Sequence, residues 1–327
     1  MARRGILPRS IVAPLWGALQ DVAAMSSRSS RAAPALCLTL AMLLWASAFI
    51  ALKLAFRHYD PMVVLAGRML VASCCFIWVL RRFGPVHYRA GDWRLIGLLM
   101  LAEPCLYFLF EASALQYTSA AQAGMITALL PLLVAVGAWF FLRERLRLQG
   151  WLGFGLAVGG ALWLSFSAQV SSVAPNPLLG NFLEFCAMLC AMLYTLCLKR
   201  LSTRYSPWLL TALQSFCGTL FFVPALAVPG VELPTVWVPQ AVLAILYLGL
   251  VVNIFAYGLF NLGVSWIPAS QASAYINLIP VFTVILAYVL LHETLSLQQL
   301  AAAALIIGGV VLSQWPEPRQ AARAVAG

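Results

Sequence analysis

The chain has 327 residues, 63% hydrophobic and only 9% charged, with a formal net charge of +10. Soluble domains carry about 25% charged residues and cannot hide this much apolar surface, so the composition excludes an ordinary soluble fold and points to a multi-pass membrane protein. The basic excess would suit nucleic acid, but its placement, taken up below, excludes that partner.

Residues 1–33 hold Arg3, Arg4, Arg9 and the run Ser26-Ser27-Arg28-Ser29-Ser30-Arg31, and read as a disordered cytoplasmic tail. Pro8 and Arg9 interrupt the candidate apolar core of a signal peptide, and Met25 stands just before the serine run as a second candidate start. Ten apolar stretches follow, near 34–54, 62–80, 95–116, 118–142, 149–167, 178–198, 207–227, 240–261, 269–291 and 297–315. Each approaches the about 20 residues that an α-helix needs to cross about 30 Å of hydrocarbon, and is far longer than a barrel strand. The expected fold is therefore all-α integral membrane. A first five-helix unit spans 34–167, an external linker 168–177, a second unit 178–315 and a cytoplasmic tail 316–327.

With the N-terminus inside, seventeen basic residues fall on the cytoplasmic side, and only Lys53 and Arg57 fall outside. Positive charge retained on one face predicts both termini cytoplasmic. The eight cysteines all lie in apolar stretches, where a thiol behaves as a small hydrophobe. His58, His87 and His292 form no ligand set, so no metal or other cofactor is expected.

Residues 120–160 recur without a gap at 269–309, with 14 of 41 positions identical. Gln122 returns as Gln271, Pro131 as Pro280, Glu144 as Glu293, and Gly159-Gly160 as Gly308-Gly309. At an offset of 146, Leu52-Lys53 returns as Leu198-Lys199 and Tyr59-x-Pro61 as Tyr205-x-Pro207. Five spans per unit is an odd number, so the second unit enters the membrane from the opposite side. Two inverted five-helix repeats around a shared centre are an architecture of carriers.

Arg68, Glu103, Glu111 and Glu184 are charged residues within spans. On insertion scales each costs about 2.5–3.5 kcal/mol at the bilayer centre, so such groups face a cavity or a partner. Glu103, Tyr107 and Glu111 are spaced i, i+4, i+8, and at an offset of 150 the stripe returns as Asn253, Tyr257 and Asn261. Residues at this spacing share a helix face, which predicts two walls of one polar cavity. Interhelical hydrogen bonding is the alternative use of such groups.

Depth along the helices places Arg68 and Glu111 both roughly 9 Å from the outer face, with Glu184 at a similar level. Arg68–Glu111 is expected as an ion pair or outer gate, with Glu184 competing for the arginine; the alternative for Arg68 is to hold a substrate carboxylate. Glu103 lies about 12 Å deeper and is the preferred carboxylate for a proton or a cationic substrate group. Gln122, Gln271, Tyr275 and Trp45 are further candidates for the cavity wall. Pro131 and Pro280 interrupt their helices near mid-span and are candidate hinges. Gly155-x3-Gly159 and Ala304-x3-Gly308 form small-residue faces on spans five and ten, where a homodimer could associate.

The segment Leu44-Trp45-Ala46-Ser47-Ala48-Phe49-Ile50-Ala51-Leu52-Lys53 and the twin units Arg143-Glu144-Arg145-Leu146 and His292-Glu293-Thr294-Leu295 resemble the EamA-type branch of the drug/metabolite transporter superfamily. The resemblance covers roughly 35–315 and implies an inner-membrane carrier, often an exporter of amino acids or related metabolites. Four-span multidrug members place a carboxylate in the first helix about two turns before a lysine. Here that position is Trp45, and Ala191 in the second unit. Any proton coupling would fall to Glu103, Glu111 or Glu184. The reading is a secondary transporter, not an enzyme, moving a small polar or zwitterionic metabolite by alternating access. A carrier of phosphorylated or nucleotide-linked solutes would need more than one arginine at cavity depth. A non-transporting sensor or structural protein is the alternative from another class.

Overall fold

The computed structural model describes residues 32–77, 88–142, 148–267 and 269–314. They form α1 (Ala32–Phe56), α2 (Pro61–Ile77), α3 (Asp92–Tyr117), α4 (120–142), α5 (Leu148–Phe166), α6 (Pro177–Leu201), α7 (Pro207–Ala225), α8 (Pro239–Trp266), α9 (269–291) and α10 (Leu297–Gln314). Among the described residues there is no strand. Seven of these helices are long and apolar enough to cross a membrane, and Pro61–Ile77 and Leu297–Leu312 are shorter apolar helices. The expected tail 1–33 and the motif around Glu144 fall almost wholly outside the described residues.

Several boundaries follow from local chemistry. Pro177 and Pro207 stand in the first turns of α6 and α7, where a missing N–H costs nothing. Asn176 caps α6 by accepting from the Leu179 N–H at 3.2 Å, and Ser119 caps α4 by accepting from the Gln122 N–H at 3.2 Å. Glu293 reinforces that second cap from across the molecule. Its two carboxylate oxygens accept the Ala120 N–H at 3.2 Å and the Ala121 N–H at 3.0 Å, where negative charge suits a helix N-terminus. Lys199 serves the opposite kind of end, donating from Nζ to the Val264 and Ile267 carbonyls at the C-terminus of α8, each at 2.8 Å.

Irregular turns recur at matching places. Wide π-type turns interrupt α3 at Leu101–Leu106 and α8 at Leu248–Ala256. Tight 3-10 turns precede Pro131 in α4 (Thr127–Leu129) and Pro280 in α9 (Tyr275–Asn277). A proline ring collides with the carbonyl four residues back, which is Thr127 in one helix and Ile276 in the other, so the turn ahead of it re-forms.

The helices pack reciprocally. α1 packs on α8 and α9, as α6 packs on α3 and α4, while α2–α7, α4–α9 and α5–α10 meet as pairs. Ser73 and Thr219, separated by 146 positions, hydrogen-bond to each other at 2.8 Å between α2 and α7. In the α5–α10 seam a Cβ on Gly160 would stand 2.9 Å from Ile306 N and 3.0 Å from Ala302 O. A Cβ on Gly309 would stand 2.6 Å from Ala157 N and 2.6 Å from Gly153 O. Each glycine thus meets the counterparts of the residues that meet the other. The faces expected to associate lie elsewhere: a Cβ on Gly155, Gly159 or Gly308 would meet open space. The seam turns one residue away from them because it follows Gly153, Ala157 and Gly160.

Candidate functional site

The helices surround a cavity whose wall includes Trp45, Arg68, Glu103, Tyr107, Glu111 and Tyr257. α1 contributes Trp45, Ala48 and Phe49; α6 contributes Met188, Ala191, Tyr194 and Thr195; Thr127 and Ile276 come from the irregular turns of α4 and α9, and Leu130 and Ile279 from the helix just after them. Trp45 stands edge-on to Tyr257, with centroids 5.1 Å apart, and tilts against Phe260 at 4.6 Å.

Glu103 is in the cavity because its backbone leaves the helix. It is extended (φ −148°, ψ 120°), the conformation favoured before a proline, here Pro104. Its carboxylate accepts a hydrogen bond from the Tyr257 hydroxyl, which joins the two expected stripes across α3 and α8. Tyr107 donates to Glu111 Oε1 at 2.8 Å within α3.

Arg68 departs from its expected pairing. Its Nε and Nη2 donate to Asn253 Oδ1 at 3.1 and 2.6 Å, and Asn253 Nδ2 returns a bond to the Arg68 carbonyl at 3.2 Å. The guanidinium lies 4.3 Å from the centroid of the Phe108 ring. Arg68 and Glu111 act on each other electrostatically without forming a direct ion pair. Depth alone had matched them, whereas the wide turn of α8 brings Asn253 against α2 and takes the arginine's donors. Arg68 Nη1 stays buried and without a hydrogen-bond partner, as does Trp45 Nε1. Buried donors are nearly always paired, and both side chains belong to the cavity wall.

Glu184 does not compete for the arginine. It is fully buried (0% exposed), neither carboxylate oxygen has a partner, and it stands outside the cavity wall. Other expected wall residues are engaged elsewhere. Gln122 accepts from Asn181 at 3.1 Å within a network including Thr118, and Asn261 accepts from Tyr194 and donates to Thr211 and Gln214. Asn253 lines a smaller recess with Gln214 and Ser215. Gln271 is exposed, Tyr275 is half-buried, and neither lines the cavity. The irregular turns rotate each helix beyond them, which spacing counted at a regular pitch does not register. Pro131 and Pro280 are both buried beside those turns.

Thr127, Thr195 and Gln214 were not singled out from the sequence. Gln214 had a signal, since the offset of 146 makes it the counterpart of Arg68. The two threonines had none, because hydroxyls are ordinary interhelical links in membranes.

A mixed-charge, aromatic-walled cavity enclosed by apolar helices is the interior of a multi-pass membrane transporter. The chain belongs to the EamA-like transporter family, whose sequence profile matches residues 33–166 and 178–315. It is 26% identical over 279 residues to an uncharacterized transporter of Archaeoglobus fulgidus, which spans 85% of this chain and 96% of that protein. It is 25% identical over 276 residues, 84% of this chain and 91% of the other, to a probable terminal-alkyne amino-acid exporter of Streptantibioticus cattleyicolor. A solved crystal structure shares the fold, with a TM-score of 0.62 and 20% identity over 91% of this chain and 100% of that one. The family is one of transporters rather than enzymes, and the chain is a multi-pass membrane protein of the cell membrane.

Proposed function

We propose that the protein is an alternating-access carrier for a zwitterionic, amino acid-like metabolite, running as an exporter, with ten spans in two inverted five-helix repeats and both termini cytoplasmic. The observation that carries the substrate class is the pair of unpartnered buried donors, Arg68 Nη1 and Trp45 Nε1, in a wall that also holds Glu103. A substrate carboxylate accepts from those two donors, and its ammonium meets Glu103. The rings of Tyr107, Tyr194, Tyr257 and Phe260 beside Leu130 and Met188 suit an apolar side chain. The name of the Streptantibioticus relative agrees with amino-acid export.

The reciprocal contacts of Gly160 and Gly309, and the bond between Ser73 and Thr219, are what an in-plane two-fold axis produces. Pro131 and Pro280 are the hinges of this cycle, each beside a turn that is already irregular. Flux of radiolabelled L-leucine and L-phenylalanine into proteoliposomes tests the reading. Glu103→Gln keeps an acceptor for Tyr257 but removes the charge that holds the ammonium. A charged hydrogen bond contributes about 1.5–3 kcal/mol, so substrate affinity should fall roughly 10- to 150-fold. Wild-type flux equal to that of protein-free liposomes, or Glu103→Gln flux equal to wild type, overturns it.

A further inference from the structure

We propose that Glu184, set against Glu111, binds and releases the coupling proton of the transport cycle, at a site separate from the substrate cavity. This rests on the carrier reading above. The buried set near the cavity holds one arginine and three carboxyls: Arg68, Glu103, Glu111 and Glu184 are each at most 5% exposed. Arginine keeps its charge in proteins. With all three carboxyls ionised the set would carry two uncompensated negative charges, which a hydrocarbon-enclosed interior does not sustain. At least part of the balance must therefore come from bound protons or from the positive end of a substrate.

Position divides these roles. Glu103 and Glu111 stand in the cavity wall with tyrosine hydroxyls as donors, where a substrate ammonium can reach them. Glu184 cannot be reached that way. Gly180, one turn before it on α6, brings that helix so close to α3 that a Cβ there would stand 2.7 Å from Thr118 N and 2.9 Å from Ala114 O. Glu184 is thereby pressed into the α3–α6 seam with both oxygens sealed and unpartnered. A sodium ion would need several more oxygen ligands. A proton needs one.

The groups whose charges bear on Glu184 are few. Glu111 acts on it directly from α3, and the Tyr107 phenol shares the same field. Arg68 reaches it through Glu111 from α2; on its own helix, Cys186 and Cys190 exert no resolved effect on it. From α4 and α5 the neighbouring polar groups are Gln122 and Ser165, which do not titrate and are bonded to Asn181. Met188, one turn further along α6, is in the cavity wall. Charge arriving at Arg68 and Glu111 thus changes the affinity of Glu184 for its proton, and by linkage the proton changes substrate affinity. The step is a plain ionisation: the carboxylic acid gives H+ to water on one side of the membrane, and its carboxylate takes H+ from the other.

Two measurements on the full-length protein test this. Infrared difference spectra across acid and alkaline pH should show the C=O stretch of a protonated, non-hydrogen-bonded carboxyl, lost in Glu184→Gln and in Glu184→Leu. In proteoliposomes an imposed pH gradient should drive L-leucine or L-phenylalanine to about tenfold accumulation per pH unit if one proton is coupled. Both variants should reduce that to an accumulation ratio of about one while leaving exchange intact, and Glu184→Asp should restore part of the gradient response. Glu184→Leu also separates coupling from a structural role: it should melt higher than wild type, because an unpartnered buried carboxyl is removed. An unchanged carboxyl band in both variants, or gradient-driven accumulation equal to wild type, overturns the proposal. If no amino acid moves in wild type, the substrate reading fails and the infrared band alone decides on Glu184.

Discussion

Two seams of the molecule occupy equivalent places and are built differently. Where α6 crosses α3, Glu184 faces the field of Glu111; where α1 crosses α8, the offset of 146 puts Leu38 in place of Glu184, and the offset of 150 puts Asn261 in place of Glu111. Leu38 is fully buried against Gly263, whose added Cβ would stand 2.6 Å from it. Asn261 has its hydrogen bonds met by Tyr194, Thr211 and Gln214. Both seams are close-packed, but at these positions one holds a leucine and a hydrogen-bonded amide while the other holds two carboxyls, of which Glu184 has no hydrogen-bond partner. Packing has been kept equal and charge has not. On the alternating-access reading proposed above, a duplicated scaffold needs matching shapes to rock between two faces, whereas discrimination among solutes needs charge at particular points.

The sharpest way to break the comparison is to make the halves alike. Arg68→Gln places in the first half the residue that the second half carries as Gln214. It should abolish carboxylate recognition, and amino-acid flux in proteoliposomes should fall at least about a hundredfold, since a charge-assisted, desolvated contact is lost. Retention of more than a tenth of wild-type flux, with the protein monodisperse and helical, would remove Arg68 from the site. The effect should exceed that of Glu103→Gln, because glutamine at 103 still accepts from Tyr257.

Next in size is the shared seam between α5 and α10. Gly309→Ala would drive a Cβ to 2.6 Å from backbone atoms of Gly153 and Ala157, and Gly160→Ala would bring one to 2.9 Å from Ile306 N. Backbone cannot yield as a side-chain tip can, so each should cost about 1–3 kcal/mol, read as a lower melting temperature in detergent. If the halves are reciprocal, the two losses should agree to within about 0.5 kcal/mol. A large loss for one glycine and none for the other would say that the contacts only resemble each other.

Much of this organisation was legible in the sequence, for identifiable reasons. Hydrophobic length gave the helices, and an ungapped repeat gave the paired irregularities, because Pro131 and Pro280 disturb the same turn in each copy. The stripes through Glu103 and Tyr257 also pointed to a shared cavity, where the two side chains meet. What spacing could not supply was rotation about the helix axis. Arg68 and Glu111 agree in depth, yet the wide turn at Leu248–Ala256 turns Asn253 toward α2, and the arginine binds the amide. Gln271 illustrates the same limit: it repeats Gln122 faithfully, but one is exposed and the other sits in a buried network. The isolation of Glu184 depends on Gly180 letting two backbones approach, a three-dimensional fact with no local signature.

The smallest expected effect addresses the neutral seam itself. Tyr194→Phe removes the hydroxyl that donates to Asn261 Oδ1 while keeping the ring that stacks near Phe260, with centroids 6.4 Å apart. Asn261 keeps its two donor contacts but its buried Oδ1 is left without a donor, which costs about 1–3 kcal/mol of stability. No charge changes and no unpartnered donor of the cavity is touched. Flux should stay within about twofold of wild type, and its dependence on a pH gradient should be unaltered. Tyr257→Phe is the matched substitution on the charged side, where the lost hydroxyl is the partner of Glu103. If Tyr194→Phe impaired gradient-driven accumulation as strongly as Tyr257→Phe, the second half's polar groups would share in selectivity, and the division between scaffold and charge would fail.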